Sequence, residues 1–375
     1  MQHREKGRKA SRNRQIPGGE AGQETGGDGF LIGGRSIGRG ASCFIIAEAG
    51  VNHNGDLPRA RQLVDAAAAS GADAVKFQSF VPSEIASPDA EPARYQKAAP
   101  GGSRTQRSLL ERLELAPEAF EGLARYAKER GILFLSSPFD HRSADLLESL
   151  DVPAFKIASG EITNLPFLRY VAGKGRPIIL STGMATLGEI EEAVQVISDE
   201  GVAEILLLHC VTSYPAPLEA MNLRVIRTLR RAFQLPVGLS DHTLGYIASA
   251  VAVALGACAI EKHLTLSRSL PGPDHRASAE PAEMAELVRT VRSVELALGT
   301  GVRKPTAEER EIRRVVRRSL VAAVDIPRGS VLAESMVTAK RPGTGLPPRF
   351  MNFFIGRRAR EHIPADTQLS WDLVE

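Results

Sequence analysis

Two histidines, His242 and His263, lie at the ends of two short β-like runs, 236–241 and 259–265, with a helix-like segment, 246–255, between them. In a strand–helix–strand unit with parallel strands, both strand ends open on the same rim of the sheet. The imidazoles could therefore face each other and ligate a divalent metal that keeps positions open for water and substrate. A histidine at a strand end is often only packed and hydrogen-bonded, but repetition in consecutive units favours a metal site.

Other polar side chains end the β-like runs or follow them directly. They are Glu48, Lys76, Gln78, Ser137, Lys156, Ser159, Ser181, Ser240 and Glu261. Charges on otherwise apolar strands are costly to bury unless they are paired or serve a site. The lysines and hydroxyls suit a phosphate or carboxylate. Glu48 suits general acid–base catalysis, and Asp274, in a PGPD turn, is a plausible companion acid. Lys262 alternates with its neighbours and is expected to be structural.

Apolar β-branched runs alternate with amphipathic runs about eight times from residue 44 onward. The predicted strands are 44–50, 74–78, 133–138, 155–159, 177–183, 204–210, 236–241 and 259–265. The predicted helices are 58–70, 117–130, 142–150, 165–172, 187–200, 223–233, 246–255 and 281–298. Short apolar strands separated by helices are typical of a parallel sheet buried on both faces. Eight such units predict a closed (β/α)8 TIM barrel, an α/β fold whose chemistry lies at the C-terminal rim.

The composition divides the chain into four parts. Residues 1–40 are predicted to be a disordered basic leader, in which GGRSIGRG lacks the following helix of a dinucleotide site. Residues 41–299 form the barrel, 300–317 a linker and 318–375 a small β domain with turns. The long loop 81–117 is expected to be a lid or binding segment. Arg341, in the KRPGTG loop, is either a recognition residue or a solvated arginine.

Charge and cysteine usage exclude several classes of protein. The first 14 residues hold six Lys/Arg and one Glu, and the rest of the chain is nearly neutral, with 41 basic and 43 acidic residues. We therefore expect no nucleic-acid partner. No apolar run reaches the ~18 residues of a membrane helix, so no membrane partner is expected. Three scattered cysteines without CxxC spacing predict a reducing, cytoplasmic location.

Nine motifs together resemble the sialic acid synthase family, the phosphoenolpyruvate-dependent nonulosonate synthases. They are IAEAGVNHNGD (46–56), DAVKFQ (73–78), FKIASGEITN (155–164), ILSTGM (179–184), LLHCVTSYPAP (207–217), GLSDHT (238–243), IEKHLT (260–265), PGPDHRAS (271–278) and KRPGTG (340–345). The last motif lies in a region that resembles the antifreeze-like (SAF, β-clip type) domain of these enzymes. The resemblance extends from residue 44 to the C-terminus.

The resemblance implies condensation of phosphoenolpyruvate and water with an open-chain N-acetylated amino sugar, giving a nine-carbon keto acid and phosphate. N-acetylmannosamine is the first choice of sugar and N-acetylneuraminate the corresponding product. A 2,4-diacetamido sugar (giving legionaminic acid) and the 6-phosphate of N-acetylmannosamine are the alternatives. A non-catalytic sugar-binding barrel is the alternative from another class, and the intact set of charged rim residues argues against it.

The resemblance also implies a role for each site residue. His242 and His263 would hold a divalent metal, Mn²⁺ by family habit with Mg²⁺ or Co²⁺ as alternatives, and Glu48 would be the acid/base. Phosphoenolpyruvate would be bound by Lys76, Lys156, Ser137, Ser159, Ser181 and Ser240. The sugar would be contacted by Gln78, Glu161, Tyr214 and Asp274. Arg341 would reach the N-acyl group from the partner chain of a domain-swapped homodimer.

The sequence departs from the family pattern at two places. Thr212 stands where the best-known members have Asn, which leaves one contact to phosphoenolpyruvate or sugar open. His275 and Arg276 follow Asp274 in place of the usual dipeptide, and we expect them to contact another part of the sugar.

Overall fold

The computed structural model describes residues 29–97 and 103–375, which form two compact units. The first unit ends at Leu298, and the second spans Gly299–Glu375. The predicted disorder of residues 1–28 concerns a segment outside the described residues. No helix of the described chain is long and apolar enough to cross a membrane.

The first unit is built on eight parallel strands. A β-hairpin, β1 (Gly29–Ile32) and β2 (Arg35–Gly38), precedes them. The barrel strands are β3 (Phe44–Gly50), β4 (Ala74–Ser79), β5 (Leu133–Pro138), β6 (Phe155–Ile157), β7 (Ile178–Ser181), β8 (Ile205–Cys210), β9 (Val237–Asp241) and β10 (Ala259–His263). Their order in the sheet is β5-β4-β3-β10-β9-β8-β7-β6. Strands β5 and β6, at the two ends of this order, lie side by side, so the sheet closes into the predicted TIM barrel.

Helices follow the strands, and the longer ones cover the outside of the barrel. They are α1 (Leu57–Ala69), α2 (Pro82–Ile85), α3 (Arg94–Lys97), α4 (Gln106–Glu111), α5 (Pro117–Glu129), α6 (His141–Ser149), α7 (Leu165–Ala172), α8 (Leu187–Asp199), α9 (Val225–Phe233), α10 (Ile247–Ala254) and α11 (Pro281–Leu298). N-terminal capping residues start several of these helices. Asp140 caps α6 by accepting from Ser143 N, and Thr186 caps α8 in a capping box with Glu189. The outward strand residues and one face of each long helix make the main hydrophobic core.

The inside of the barrel changes character along its axis. Alternate residues of β3 show this order, because Phe44 and Ile46 belong to an apolar interior cluster whereas Glu48 lines a polar cavity. Gly238 keeps the interior close-packed, since a Cβ there would meet the Ala259 carbonyl oxygen at 2.6 Å. The apolar interior thus lies toward the N-terminal ends of the strands and the charged interior toward their C-terminal ends.

The hairpin corrects the prediction that residues 1–40 are a disordered leader. Ile32 pairs with Arg35 across Gly33 and Gly34, whose φ angles of +55° and +82° suit the tight two-residue turn of a hairpin. Ile32 and Ile37 are fully buried in the apolar interior cluster. The hairpin is therefore part of the first unit and closes the apolar end of the barrel.

Two predicted loops contain helices. The segment 81–117, predicted to be a lid or binding segment, carries α2, α3 and α4, with residues 98–102 outside the described chain. The predicted linker 300–317 contains α12 (Ala307–Val316), which begins at a capping box between Thr306 and Glu309. Strand and helix bounds otherwise agree with the predicted ones to within about two residues.

The second unit has its own small core. Strand β11 (Ser319–Ala322) pairs antiparallel with β12 (Val337–Lys340), and single bridges such as Ile326–Ile363 join the remaining extended segments. Its buried residues are Leu320, Ala322, Ile326, Leu332, Val337, Phe354, Ala359, Ile363, Leu369 and Val374. A core of this size is small, as expected for a domain of fewer than 80 residues.

Candidate active site

A cavity of about 350 Å³ opens at the C-terminal ends of the barrel strands. It brings together fourteen of the fifteen predicted site residues: Glu48, Lys76, Gln78, Ser137, Lys156, Ser159, Glu161, Ser181, Thr212, Tyr214, Ser240, His242, His263 and Asp274. These side chains come from all eight strands or the turns that follow them. Strand alternation, which sets Lys262 apart from its neighbours Glu261 and His263, agrees with this lining.

Two lysines and two glutamates form a buried charge network at the floor of the cavity. Lys76 Nζ lies 2.5 Å from Glu48 Oε2 and 3.7 Å from Glu261 Oε2. Lys156 Nζ lies 3.6 Å from Glu261 Oε1. All four side chains are at least nine-tenths buried. Two cations and two anions so close together would bind a multiply charged anion if it displaced or neutralised a carboxylate.

The pKa values of these groups move in opposite directions. Burial raises the pKa of Glu48 to about 7, although Lys76 acts to lower it. Burial also acts to raise the pKa of Glu261, but Lys156 and Lys76 outweigh it and lower that pKa. Burial lowers the pKa of Lys156. Glu48 can therefore gain or lose a proton near neutral pH while Glu261 stays ionised, which suits Glu48 to acid–base work.

Hydroxyls complete the floor. Ser137 Oγ accepts from Lys76 Nζ at 3.1 Å, and Ser240 Oγ donates to Glu261 Oε1 at 3.1 Å. Ser159 Oγ accepts from Gly183 N at 3.0 Å, next to Ser181 on the neighbouring strand. Hydroxyl groups therefore line the same cavity as the lysines and can donate to a bound anion.

The two histidines lie together on one side of the cavity. Their ring centroids are 5.4 Å apart, with an angle of 57° between the ring planes. His242 Nδ1 lies 2.9 Å from the Val211 carbonyl, which can only accept, so Nδ1 donates and Nε2 is the nitrogen that remains for a metal. His263 Nδ1 is buried and has no hydrogen-bond partner among the described residues.

This arrangement fits a divalent metal held by two imidazoles. Burial lowers the pKa of His263 well below its usual range, which keeps that ring neutral and able to ligate. In residues 29–97 and 103–375 no group of three or more His, Cys, Asp or Glu side chains is placed around one metal position. A metal held by two protein ligands keeps positions for water and substrate.

The sugar-side residues line the same cavity. The Tyr214 ring lies 4.1 Å from the His242 ring, and Gln78 Nε2 donates to Glu48 Oε1 at 3.1 Å. Burial raises the pKa of Asp274 to about 6. Glu161 accepts from Asn164 Nδ2 at 2.8 Å and is half-buried, and Thr212 is exposed at the rim.

Arg341 belongs to the second unit, where its Nε donates to the Val316 carbonyl at 3.1 Å. His275 does not line the cavity, which corrects the expectation that it reads the sugar. It is fully buried, with its ring nitrogens 2.7 Å from Thr265 Oγ1 and 3.2 Å from Asn54 Oδ1. Arg276, beside it, is exposed and is likewise outside the lining of the cavity.

Sequence reasoning missed three features of the site. Glu261 was placed on the rim without a role, yet it contacts both lysines. Cys210, one of the three scattered cysteines, was given no role in the site, yet it lines the cavity with its Sγ 3.9 Å from His242 Nδ1. The outer part of the cavity is lined mostly by apolar side chains, which are Val51, Phe80, Ile85, Leu109, Leu110, Leu113 and Phe139, and also by Gln96 and Gln106. All three leucines of this lining come from the segment 81–117, which was predicted to be a lid or binding segment.

The fold and the cavity define a parallel barrel with two buried lysines and a histidine pair at its C-terminal rim. Residues 63–303 match the NeuB family and residues 317–375 match the SAF domain. The chain is 46% identical over 343 residues to the N,N'-diacetyllegionaminic acid synthase of Legionella pneumophila, covering 90% of this chain and 96% of that protein. The enzyme of the same name from Campylobacter jejuni is 48% identical over 325 residues, with 86% and 97% covered.

A solved structure agrees with these matches. The N-acetylneuraminic acid (sialic acid) synthetase of Leptospira borgpetersenii superposes with a TM-score of 0.67 at 36% identity, covering 76% of this chain and 95% of that chain. The chain belongs to the NeuB family, so the resemblance seen in the sequence is confirmed. It is a sugar acid synthase, an enzyme that condenses phosphoenolpyruvate with an amino sugar by forming a C–C bond.

Proposed function

We propose that this synthase joins phosphoenolpyruvate to an N-acylated amino sugar without a phosphate group, and that a 2,4-diacetamido sugar is its substrate. N-acetylmannosamine, the first choice from the sequence, is the second candidate. The observation that carries the reaction is the buried network of Lys76, Lys156, Glu48 and Glu261 beside two neighbouring histidines, and the apolar part of the cavity lining supports the choice of sugar.

Phosphoenolpyruvate would occupy the floor of the cavity. Lys76 and Lys156 supply two positive charges, and the hydroxyls of Ser137, Ser159, Ser181 and Ser240 lie around them. Glu261 holds both ammonium groups within 4 Å of one carboxylate, which fixes their separation before the substrate arrives. Preorganised charges of this kind need little rearrangement when an anion binds.

The histidine pair would hold the metal, Mn²⁺ or alternatively Mg²⁺ or Co²⁺. When bound there, a divalent ion supplies a Lewis acid that polarises the aldehyde oxygen of the sugar. His242 is oriented for this role by the Val211 carbonyl, and His263 by its position at the end of β10. Gln78, Glu161, Thr212, Tyr214 and Asp274 would then contact the sugar from the outer part of the cavity.

The reaction forms a C–C bond and a bond from C2 to the oxygen of water, and it breaks the C–O bond to phosphate. The methylene carbon of phosphoenolpyruvate attacks the aldehyde carbon, and the aldehyde oxygen gains a proton. Water adds to C2 and loses one proton, which balances the proton gained by the aldehyde oxygen. The hydroxyl now on C2 loses its own proton as the C2 carbonyl forms, and the C–O bond to phosphate breaks with both of its electrons leaving on phosphate. Glu48, with a pKa of about 7, can accept the proton of water and return it, and its neighbour Lys76 stabilises the ionised form.

The apolar outer wall supports the choice of sugar. Phe80, Leu109 and Leu110 would receive a methyl group, such as that of a second acyl substituent, better than a phosphate. Among the lining residues that the structure describes, the lysines at the floor are the cations, and phosphoenolpyruvate would occupy them. The relatives from Legionella pneumophila and Campylobacter jejuni, both named for diacetyllegionaminic acid, support the same choice.

The dimer and the location in the cell stay part of the proposal. In a domain-swapped homodimer, Arg341 of a second copy would contact the N-acyl group of the sugar. The three cysteines are free and buried, which is compatible with the reducing cytoplasm. A monomer by light scattering at working concentration would remove the Arg341 assignment.

The test is phosphate release from phosphoenolpyruvate with Mn²⁺ and each of three sugars: the 2,4-diacetamido sugar, N-acetylmannosamine and its 6-phosphate. We expect fastest release with the first sugar, loss of release with a chelator, and a matching nine-carbon keto acid by mass spectrometry. His242→Ala should abolish turnover while the circular dichroism spectrum stays unchanged. Fastest turnover of the 6-phosphate would contradict the proposed sugar, and full activity of His242→Ala would contradict the metal site.

A further inference from the structure

A second buried ion pair lies on the outer face of the barrel, behind the histidines. Lys262 Nζ is 3.2 Å from Asp241 Oδ2, and the two side chains are 1% and 0% exposed. The residues are direct neighbours in the register of β9 and β10. Neither lines the cavity, because each alternates with an inward-facing residue of its strand.

The pair flanks both proposed metal ligands in the chain. Asp241 immediately precedes His242, and Lys262 immediately precedes His263. One ionic contact therefore connects the two strand ends at the residues from which the imidazoles project into the cavity. A shift of either strand end would change the distance between the two rings, which is now 5.4 Å.

Further hydrogen bonds fix the chain on both sides of His242. Asp241 Oδ1 accepts from Thr243 N at 2.9 Å and from Thr243 Oγ1 at 2.8 Å. Ser249 Oγ, on α10, donates to Asp241 Oδ2 at 2.6 Å, and Lys262 Nζ donates to the Thr243 carbonyl. The residue before His242 and the residue after it are therefore both tied to the residue before His263.

Stability alone is a weak reason for such a pair, because a buried ion pair usually adds little over well-packed apolar side chains of similar volume. Groups behind metal ligands, by contrast, commonly set ligand orientation and metal affinity. We infer that Asp241 and Lys262 are positioning residues that hold His242 and His263 at the separation required by a divalent metal. This inference rests on the metal site of the proposed function.

The experiment measures Mn²⁺ and phosphoenolpyruvate binding separately, by calorimetry, in the full-length protein. Asp241→Asn should raise the Kd for Mn²⁺ by about 10- to 100-fold, with the Kd for phosphoenolpyruvate within about threefold of the wild-type value. Ser249→Ala removes one hydrogen bond from Asp241 and no charge, so it keeps the test usable if Asp241→Asn fails to fold. It should raise the Kd for Mn²⁺ by about three- to tenfold.

Arg292→Met is the matched control. Arg292 Nη2 pairs with Asp73 Oδ2 at 3.1 Å at the other end of the strands, so its loss should lower the melting temperature without changing Mn²⁺ affinity. Unchanged Mn²⁺ affinity in both site variants would overturn the inference. So would an equal loss in the control, or an equal loss of phosphoenolpyruvate affinity.

The two proposals fail in different ways. If the wild type binds Mn²⁺ and His242→Ala does not, but Asp241→Asn and Ser249→Ala bind like the wild type, only the positioning role is wrong. If the wild type binds no Mn²⁺, the metal site of the proposed function is wrong. The crystal structure of Asp241→Asn then decides the positioning role, and unmoved His242 and His263 rings would overturn it.

Discussion

The two ends of the barrel interior are made from the same strands but have opposite chemistry. At the N-terminal end Phe44, Ile46 and their neighbours pack with Ile32 and Ile37 of the hairpin. At the C-terminal end the interior positions are occupied by charged or hydroxyl side chains, which are Glu48, Lys76, Ser137, Lys156, Ser181, Ser240 and Glu261. Two residues along a strand separate one environment from the other.

One scaffold therefore divides two tasks between the ends of its barrel. Apolar burial at the hairpin end stabilises the fold by roughly 25 cal/mol for each Å² removed from water. Burial of charges at the other end costs free energy that pairing recovers only in part. The fold tolerates the buried charges at the C-terminal end because apolar burial at the hairpin end and under the outer helices supplies the stability. Variants at the two ends should therefore change different measurements.

The largest effect is expected at the charged end, in Lys76→Met. The variant removes one of the two cations at the floor while it keeps much of the side-chain volume. Loss of one preorganised charge should lower kcat/KM for phosphoenolpyruvate on the order of 10³-fold. Steady-state phosphate release measures this, and a loss below tenfold would contradict the anion site.

At the apolar end, Ile37→Ala should lower the free energy of unfolding by about 2–5 kcal/mol, because Ile37 is fully buried and its removal leaves a cavity. Urea denaturation measures the change, with Leu31→Ala, an exposed neighbour in the same hairpin, as the control. The kcat should stay within about twofold of the wild-type value, because Ile37 lies at the end of the barrel away from the cavity. A twofold change corresponds to only ~0.4 kcal/mol in the activation free energy. A large loss of turnover in a folded variant would show that the two ends are coupled.

A pH series of Glu48→Gln tests whether the charged end costs stability. The native pKa of Glu48, about 7, lies above its unfolded value, so wild-type stability is greatest below the unfolded pKa and falls as pH rises through 7. Glu48→Gln lacks this dependence. The melting temperature of the variant minus that of the wild type should therefore increase between pH 5 and pH 8. A difference that stays constant across that range would contradict the raised pKa.

The smallest effect is expected for Arg35→Ala. Arg35 is 60% exposed, and its Nη2 lies 3.6 Å from Asp73 Oδ1. Exposed ion pairs of this kind contribute about 0–1 kcal/mol. Urea denaturation should therefore show little change, and the result would confirm that apolar contacts, not charges, hold the hairpin. A loss as large as that of Ile37→Ala would reverse this conclusion.

The sequence predicted the barrel well because its strands are short apolar runs and its helices are amphipathic. Inward-facing residues followed from alternation, so Lys76 and Gln78 were placed on one face and Lys262 on the other. Strand ends were less certain, since predicted strands such as 177–183 continue into turns that the structure separates from β7.

Other features depended on contacts between distant segments. The hairpin was missed because a Gly-rich stretch beside a charged leader was interpreted as flexible, although Gly33–Gly34 between two β-like runs is a hairpin signal. Glu261 had no predicted partner, because its two lysines lie on strands more than 100 residues earlier. His275 was predicted to contact the sugar because of its position in the sequence motif. Its buried contacts to Thr265 and Asn54 depend on the folded structure and could not be predicted from the sequence.

The hairpin has a consequence for the kinetic order of the reaction. Because Ile32 and Ile37 close one end of the barrel, substrates and products reach and leave the floor of the cavity through its C-terminal opening. In the proposed site phosphoenolpyruvate occupies Lys76 and Lys156 and the sugar lies against Phe80 and Leu110, so phosphoenolpyruvate would have to enter before the sugar. Initial-rate patterns should therefore show compulsory-order addition, with phosphoenolpyruvate first and phosphate leaving after the nine-carbon acid.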